Sequence, residues 1–261
     1  MGSNTFAAPE TFPFRVLLGP EPLFSTGGDV RLTASLADAC DSAALQQVDG
    51  VVDAFWMIAS SGGLSGHAIA PEHSQIAEKS DVTVQDRTLT WDLLGCRIDE
   101  RALLNLLNVF RFIHGWTPLA AIDVGRPDTP ARRTLALTHR ADDYYPRMYE
   151  PPFRVAVDQP IGASLSVVAH LVNMPTESQV EAIEEELLSW SVAPSIGAFA
   201  VPGVDIQVTG MEPDHSIDVF DNEIQWSMHR VRLHPAAIDS LVNCCTAVSE
   251  RVARIAAISI T

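Results

Sequence analysis

A chain of 261 residues that is 47% hydrophobic can bury a sizeable core, which excludes a wholly disordered protein. Its 33 acidic and 17 basic residues leave a net charge of −16, and Lys79 is its one lysine; phosphate contacts need clustered Lys and Arg, so nucleic acid is not an expected ligand. No apolar run of about eighteen residues and no basic-then-apolar leader occurs, so the expectation is a cytoplasmic protein without a membrane partner.

Residues 1–12 read as a disordered lead-in. A short strand is expected at Pro13-Phe14-Arg15-Val16, and a second from Asp29 to Leu36, where apolar and polar residues alternate as in a half-buried strand. Asp41 or Ser42 then caps a helix with Leu45, Val48, Val52 and Phe55 on one stripe, ended by Ser61-Gly62-Gly63. Between Val82 and Trp91 two strands meet at a tight turn, with Asp86 at the corner because its side chain can bond the turn backbone. A second helix runs from about Asp99 to His114, and an apolar strand, Leu119 to Val124, closes the series.

The series then returns, and through the stretch from Trp91 to Leu106 the offset is constant at 135, with Trp226 for Trp91, Arg232 for Arg97 and Leu241 for Leu106. Phe153-Arg154-Val155 repeats the leading strand, and Ser164 to Leu171 the alternating one. Thr176-Glu-Ser-Gln179 is a capping box, followed by the stripe Val180, Ile183, Leu187 and Trp190. Ile217 to Trp226 repeats the hairpin, Pro235 to Arg251 the second helix, and Ile255 to Ile260 the closing strand, now at an offset of 136. The expected fold is α+β, an internal duplication of a ferredoxin-like β-α-β-β-α-β unit behind a short leading strand, giving two antiparallel sheets each covered by two helices. The first repeat spans 13–125 and the second 152–261, joined by a Pro- and Arg-rich linker at 126–151.

Positions kept through duplication are expected to be scaffold, so Trp91, Trp226, Arg97 and Arg232 read as packing and ion-pairing residues. His67, Glu72 and His73 share a loop, but their spacing is not one that converges on a metal. Asp214-His215-Ser216 has the residue types of a hydrolase triad in adjacent positions, which point apart. Gly62-Gly63 follows a helix instead of opening one, the wrong context for a phosphate loop. Cys40, Cys96, Cys244 and Cys245 lack ligand spacing and read as reduced thiols. No catalytic residue, cofactor or metal is expected.

Charge is the remaining signal. Glu177, Glu181, Glu184, Glu185 and Glu186 crowd one helix although like charges at i, i+4 repel by a few tenths of a kcal/mol per pair. Asp142, Asp143, Tyr144 and Tyr145 place acidic and aromatic groups together in the linker. Glu177, Glu181, Glu184, Glu185 and the Asp142–Tyr145 segment are therefore the candidate contact residues for a basic protein partner. A competing expectation is a small-molecule or enzyme site in a cleft between the repeats, using His67, His73 or His215. Monomer and homodimer both remain open.

The acidic, lysine-poor composition, Phe14-Arg15-Val16 near the start, and Phe55-Trp56-Met-Ile-Ala-Ser-Ser-Gly-Gly-Leu64 closing the first helix together resemble bacterial immunity proteins that neutralise polymorphic toxins, including those delivered by type VI secretion. The resemblance implies inhibition of a toxin, such as a nuclease, by occlusion, without catalysis or cofactor.

Overall fold

The computed structural model describes residues 12–19, 28–64, 75–129, 133–134, 148, 150–158, 164–195, 199, 216–229 and 235–261. The first half contains β1 (Arg15–Leu18), β2 (Gly28–Leu36), α1 (Ser42–Ser60), β3 (Glu78–Lys79), β4 (Thr83–Gln85), β5 (Thr88–Cys96), α2 (Glu100–Ile113), β6 (Leu119–Gly125) and β7 (Arg133–Thr134). The second contains β8 (Arg154–Val157), β9 (Ser164–Leu171), α3 (Glu177–Ser195), β10 (Ser216–Phe220), β11 (Glu223–His229), α4 (Ala236–Arg251) and β12 (Ile255–Ile260).

The α+β duplication holds for the leading strand and the β-α-β-β-α-β unit, the short strands β3 and β7 being additions of the first half among the described residues. The first sheet runs β3-β5-β2-β6-β1-β7, with β4 also on β5, and the second runs β10-β11-β9-β12-β8. Both contain the same antiparallel core, β4-β5-β2-β6 and β10-β11-β9-β12, which is the split βαβ order. The leading strand joins outside the closing strand and parallel to it, β1 on β6 and β8 on β12, so each sheet is mixed at that edge.

Local chemistry accounts for these elements. Along β2 the alternation buries Val30, Leu32, Ala34 and Leu36. Asp41 caps α1 by accepting from Ala44 N–H at 2.8 Å, and Asp99 caps α2 by accepting from Ala102 N–H at 2.8 Å. At α3 the capping box is complete: Thr176 N–H donates to Gln179 Oε1 at 3.0 Å, and Gln179 N–H to Thr176 Oγ1 at 3.3 Å. Asp86 and Asp221 both take φ of 53°, the left-handed conformation that a two-residue hairpin turn demands.

Each sheet lays one face on its own helices, and the helices of the two halves then pack on each other, α1 against α3. The order is sheet, helices, helices, sheet. A helix covered on both faces must be apolar all round, and α4 buries Ala237, Ile238, Leu241, Val242, Cys244, Cys245 and Val248. Gly63 permits the close approach at the end of α1: a Cβ there would lie 2.8 Å from Ile58 Cγ2 and 3.0 Å from Ser240 Oγ. Polar contacts cross the same seam, with Asn243 Nδ2 donating to Gly63 O at 3.4 Å and Arg251 Nη1 to Ser60 O at 3.1 Å.

Trp91 and Trp226 are fully buried at sheet–helix contacts, as scaffold residues should be. Among the described residues Arg97 makes none of the expected ion pairs. Its side chain is exposed, and its backbone N–H donates to Gln75 O at 2.7 Å, because the strand has turned outward by that point. Arg232 lies outside the described residues, as do the lead-in before residue 12 and most of the linker. Among the described residues no helix is long and apolar enough to cross a membrane.

Candidate protein-binding face

Helix α3 buries Ile183, Leu187 and Trp190 and turns Glu177, Glu181 and Glu185 outward, one turn apart on a single line. Exposed Met174 precedes that line and Leu188, 39% exposed, continues it. Glu184 is half-buried beside the line. None of these four glutamates has an ion pair among the described residues.

Glu186 departs from the expected acidic cluster. It is turned into the helix layer, with Oε1 3.0 Å from Arg251 Nη2 of α4. Burial raises its pKa, which neighbouring Glu185 reinforces and Arg251 opposes.

The duplicate helix α1 treats its carboxylates differently. Lys79 Nζ lies 3.3 Å from Asp49 and 2.7 Å from Asp53, and Asp49 Oδ1 also accepts the Trp91 indole N–H at 2.7 Å. Burial would lower the Lys79 pKa, but its bonds to Asp53 and Asp49 outweigh that and raise it. The single lysine thus neutralises the acids of α1, and the positions of α1 that correspond to the α3 line are Ser42, Gln46 and Gly50, so an open acidic line occurs in the second half. Periodicity had located the glutamates. The contrast depends on Lys79 reaching α1 from β3, a pairing no local pattern signals.

No protein-family model and no curated protein matches the chain. Among solved structures, a mutant of the ferredoxin protease FusC in complex with Arabidopsis ferredoxin aligns with 90% of this chain and 36% of that one, at 13% identity and a TM-score of 0.19. The chain therefore spans about a third of that structure's length, and so slight a likeness carries no argument about fold or activity.

Asp142, Asp143, Tyr144 and Tyr145 lie outside the described residues, as do His67, Glu72, His73, Asp214 and His215. Among the described residues no group of three His, Cys, Asp or Glu could hold a metal ion. The seam between the halves is packed there: the cavity among α1, α2, Leu64 and Phe199 measures about 10 Å³. A second apolar cavity of about 20 Å³, between α3, α4 and the second sheet, has room for roughly one water. Small-molecule sites are typically ~300–1,000 Å³. All four cysteines are free, and burial pushes the Cys96 and Cys245 thiols up to about 12, so neither is a thiolate near neutral pH.

Proposed function

We propose that this chain is a stoichiometric inhibitor of the immunity-protein kind, which binds a basic toxin, such as a nuclease, and covers its active or substrate-binding surface. The observation that carries the reading is the unpaired line Glu177, Glu181 and Glu185 on α3, set against the lysine-neutralised face of α1. Carboxylates held one helical turn apart repel one another, and a cationic groove relieves that repulsion. A toxin groove built for phosphates offers the matching charge, and long-range attraction to a chain of net charge −16 speeds encounter. The linker acids Asp142 and Asp143, with Tyr144 and Tyr145, are further candidate contacts by charge and residue type. The reading needs no catalytic residue, metal or cofactor.

The test is to express the protein encoded by each neighbouring gene and to measure its binding to this chain across a salt series. Reversing Glu181, Glu184 and Glu185 to lysine should slow association and flatten its salt dependence, with dissociation less affected. Unchanged affinity and salt slope would remove α3 as the contact surface.

A further inference from the structure

We infer that the end of the second sheet beside α3, formed by Val172, Met174 and Phe220, is an apolar anchor site for a basic protein segment carrying hydrophobic side chains. The inference rests on the proposed basic partner and adds to it the chemistry that would give specificity.

The duplication supplies its own control. In the first half Leu36 N–H donates to Arg87 O at 2.8 Å and Ala37 N–H to Pro118 O at 2.9 Å. In the second, Leu171 N–H donates to Asn222 O at 2.8 Å and Val172 N–H to Arg254 O at 2.9 Å. The two sheet ends are thus built on the same backbone bonds, and the hairpin turns beside them share the same left-handed aspartate. What they display differs. The first half presents Ala37, Ala39 and Gln85 to solvent, with Val84 and Trp116 as its own half-exposed apolar groups, whereas the positions corresponding to the first three hold Val172, Met174 and Phe220 in the second, exposed by 53%, 73% and 58%. At these three positions the second half carries strongly exposed apolar side chains where the same backbone in the first half carries alanine and glutamine. Clustered exposed apolar groups of this kind mark interaction sites.

Charge selects the occupant. Around the patch Ser42 and Thr83 are replaced by exposed Glu177 and Asp218, and Arg87 by Asn222, while Asp221 is kept. In the other direction Asp38 gives way to Asn173 and Pro118 to Arg254. Among these positions the acids Glu177, Asp218 and Asp221 outnumber Arg254, and Glu177 is also the first residue of the glutamate line of α3. A second copy of a chain with net charge −16 is repelled here, as is an anionic lipid surface. A cationic segment with apolar side chains is complementary to both parts, the apolar anchors being covered at the centre and the acids forming the rim.

The full chain can be titrated with two synthetic peptides of equal charge, one of lysine and leucine and the other of lysine and serine, by fluorescence anisotropy. The leucine peptide should bind about tenfold more tightly, the order expected for covering one or two half-exposed apolar side chains. Replacing Met174 and Phe220 together by serine should abolish that preference, while Val84→Ser, at the exposed hairpin of the first sheet, should preserve it. The Glu181→Lys, Glu185→Lys pair should weaken both peptides alike. Equal binding of the two peptides, or a preference that survives loss of Met174 and Phe220, overturns the anchor while leaving the acidic face intact. Indifference of both peptides to the charge reversals instead overturns the basic-partner reading. Self-association or vesicle binding that Phe220→Ser removes would assign the patch to a second copy or to lipid, and would also overturn the inference.

Discussion

Asp49 and Glu184 occupy equivalent positions in the two halves, yet only one is tied into the core. Asp49 accepts the buried Trp91 indole N–H, whereas the Trp226 indole N–H has no hydrogen-bond partner among the described residues. Asp49→Ala should therefore cost about 1–3 kcal/mol, since it strands a buried donor. Glu184→Ala should be close to neutral, and urea denaturation followed by tryptophan fluorescence separates the two. Equal losses would mean that Glu184 also supports the Trp226 site. Asp99 supplies a pH test. Burial pushes its carboxyl up, against the N–H bond from Ala102 that caps α2. A carboxyl whose folded pKa is raised binds its proton more tightly in the folded state, so stability falls as pH rises from the unfolded towards the folded value. Asp99→Asn keeps an N-cap without a buried charge. It should match or exceed the parent melting temperature at pH 7, with the difference narrowing as pH drops through the carboxylate range. A difference that widens in acid would show that the charged cap is stabilising.

Among the elements, the helices were the most legible. Asp41, Asp99 and the Thr176–Gln179 capping box all act at the ends where the sequence places them, because capping is decided within four residues. Glu186 shows the limit of the same reasoning. A helical stripe identifies the face turned to its own sheet, but it carries no information about a second layer behind the helix. Arg251, which meets Glu186 across the α3–α4 contact, comes from a residue 65 positions away. The glycine break after α1 acquired a role in the same way. Gly63 ends a helix in the sequence, and in the fold it lets that end sit against Ser240, which in turn accepts the Trp190 indole N–H at 2.9 Å. Gly63→Val should therefore cost about 1–3 kcal/mol through overpacking. It should also perturb the Trp190 indole resonance in NMR, whereas Gly50→Val, at a position with open space, should leave that resonance in place.

At the level of the whole molecule the two halves behave as one body. Their buried residues form a single hydrophobic cluster that includes Val48, Phe55, Trp91, Trp190, Trp226 and Leu241. Unfolding in urea should accordingly give one transition, coincident by far-ultraviolet circular dichroism and by tryptophan fluorescence. Segments 13–125 and 152–261 expressed separately should aggregate, since each would expose the helix faces that now meet along α1 and α3. Two resolved transitions, or a soluble and folded half, would contradict that dependence.

By itself the sequence determined the repeat, the order of strands and helices, the caps and the aspartate turns, because each is set by periodicity or by contacts a few residues apart. The tertiary structure alone decided three further points: the parallel leading strands, the helix-to-helix joining of the halves, and the unequal treatment of the two acidic helices. These depend on Lys79 reaching α1 and on Arg251 reaching both Glu186 and Ser60, long-range pairings that only the folded chain brings together.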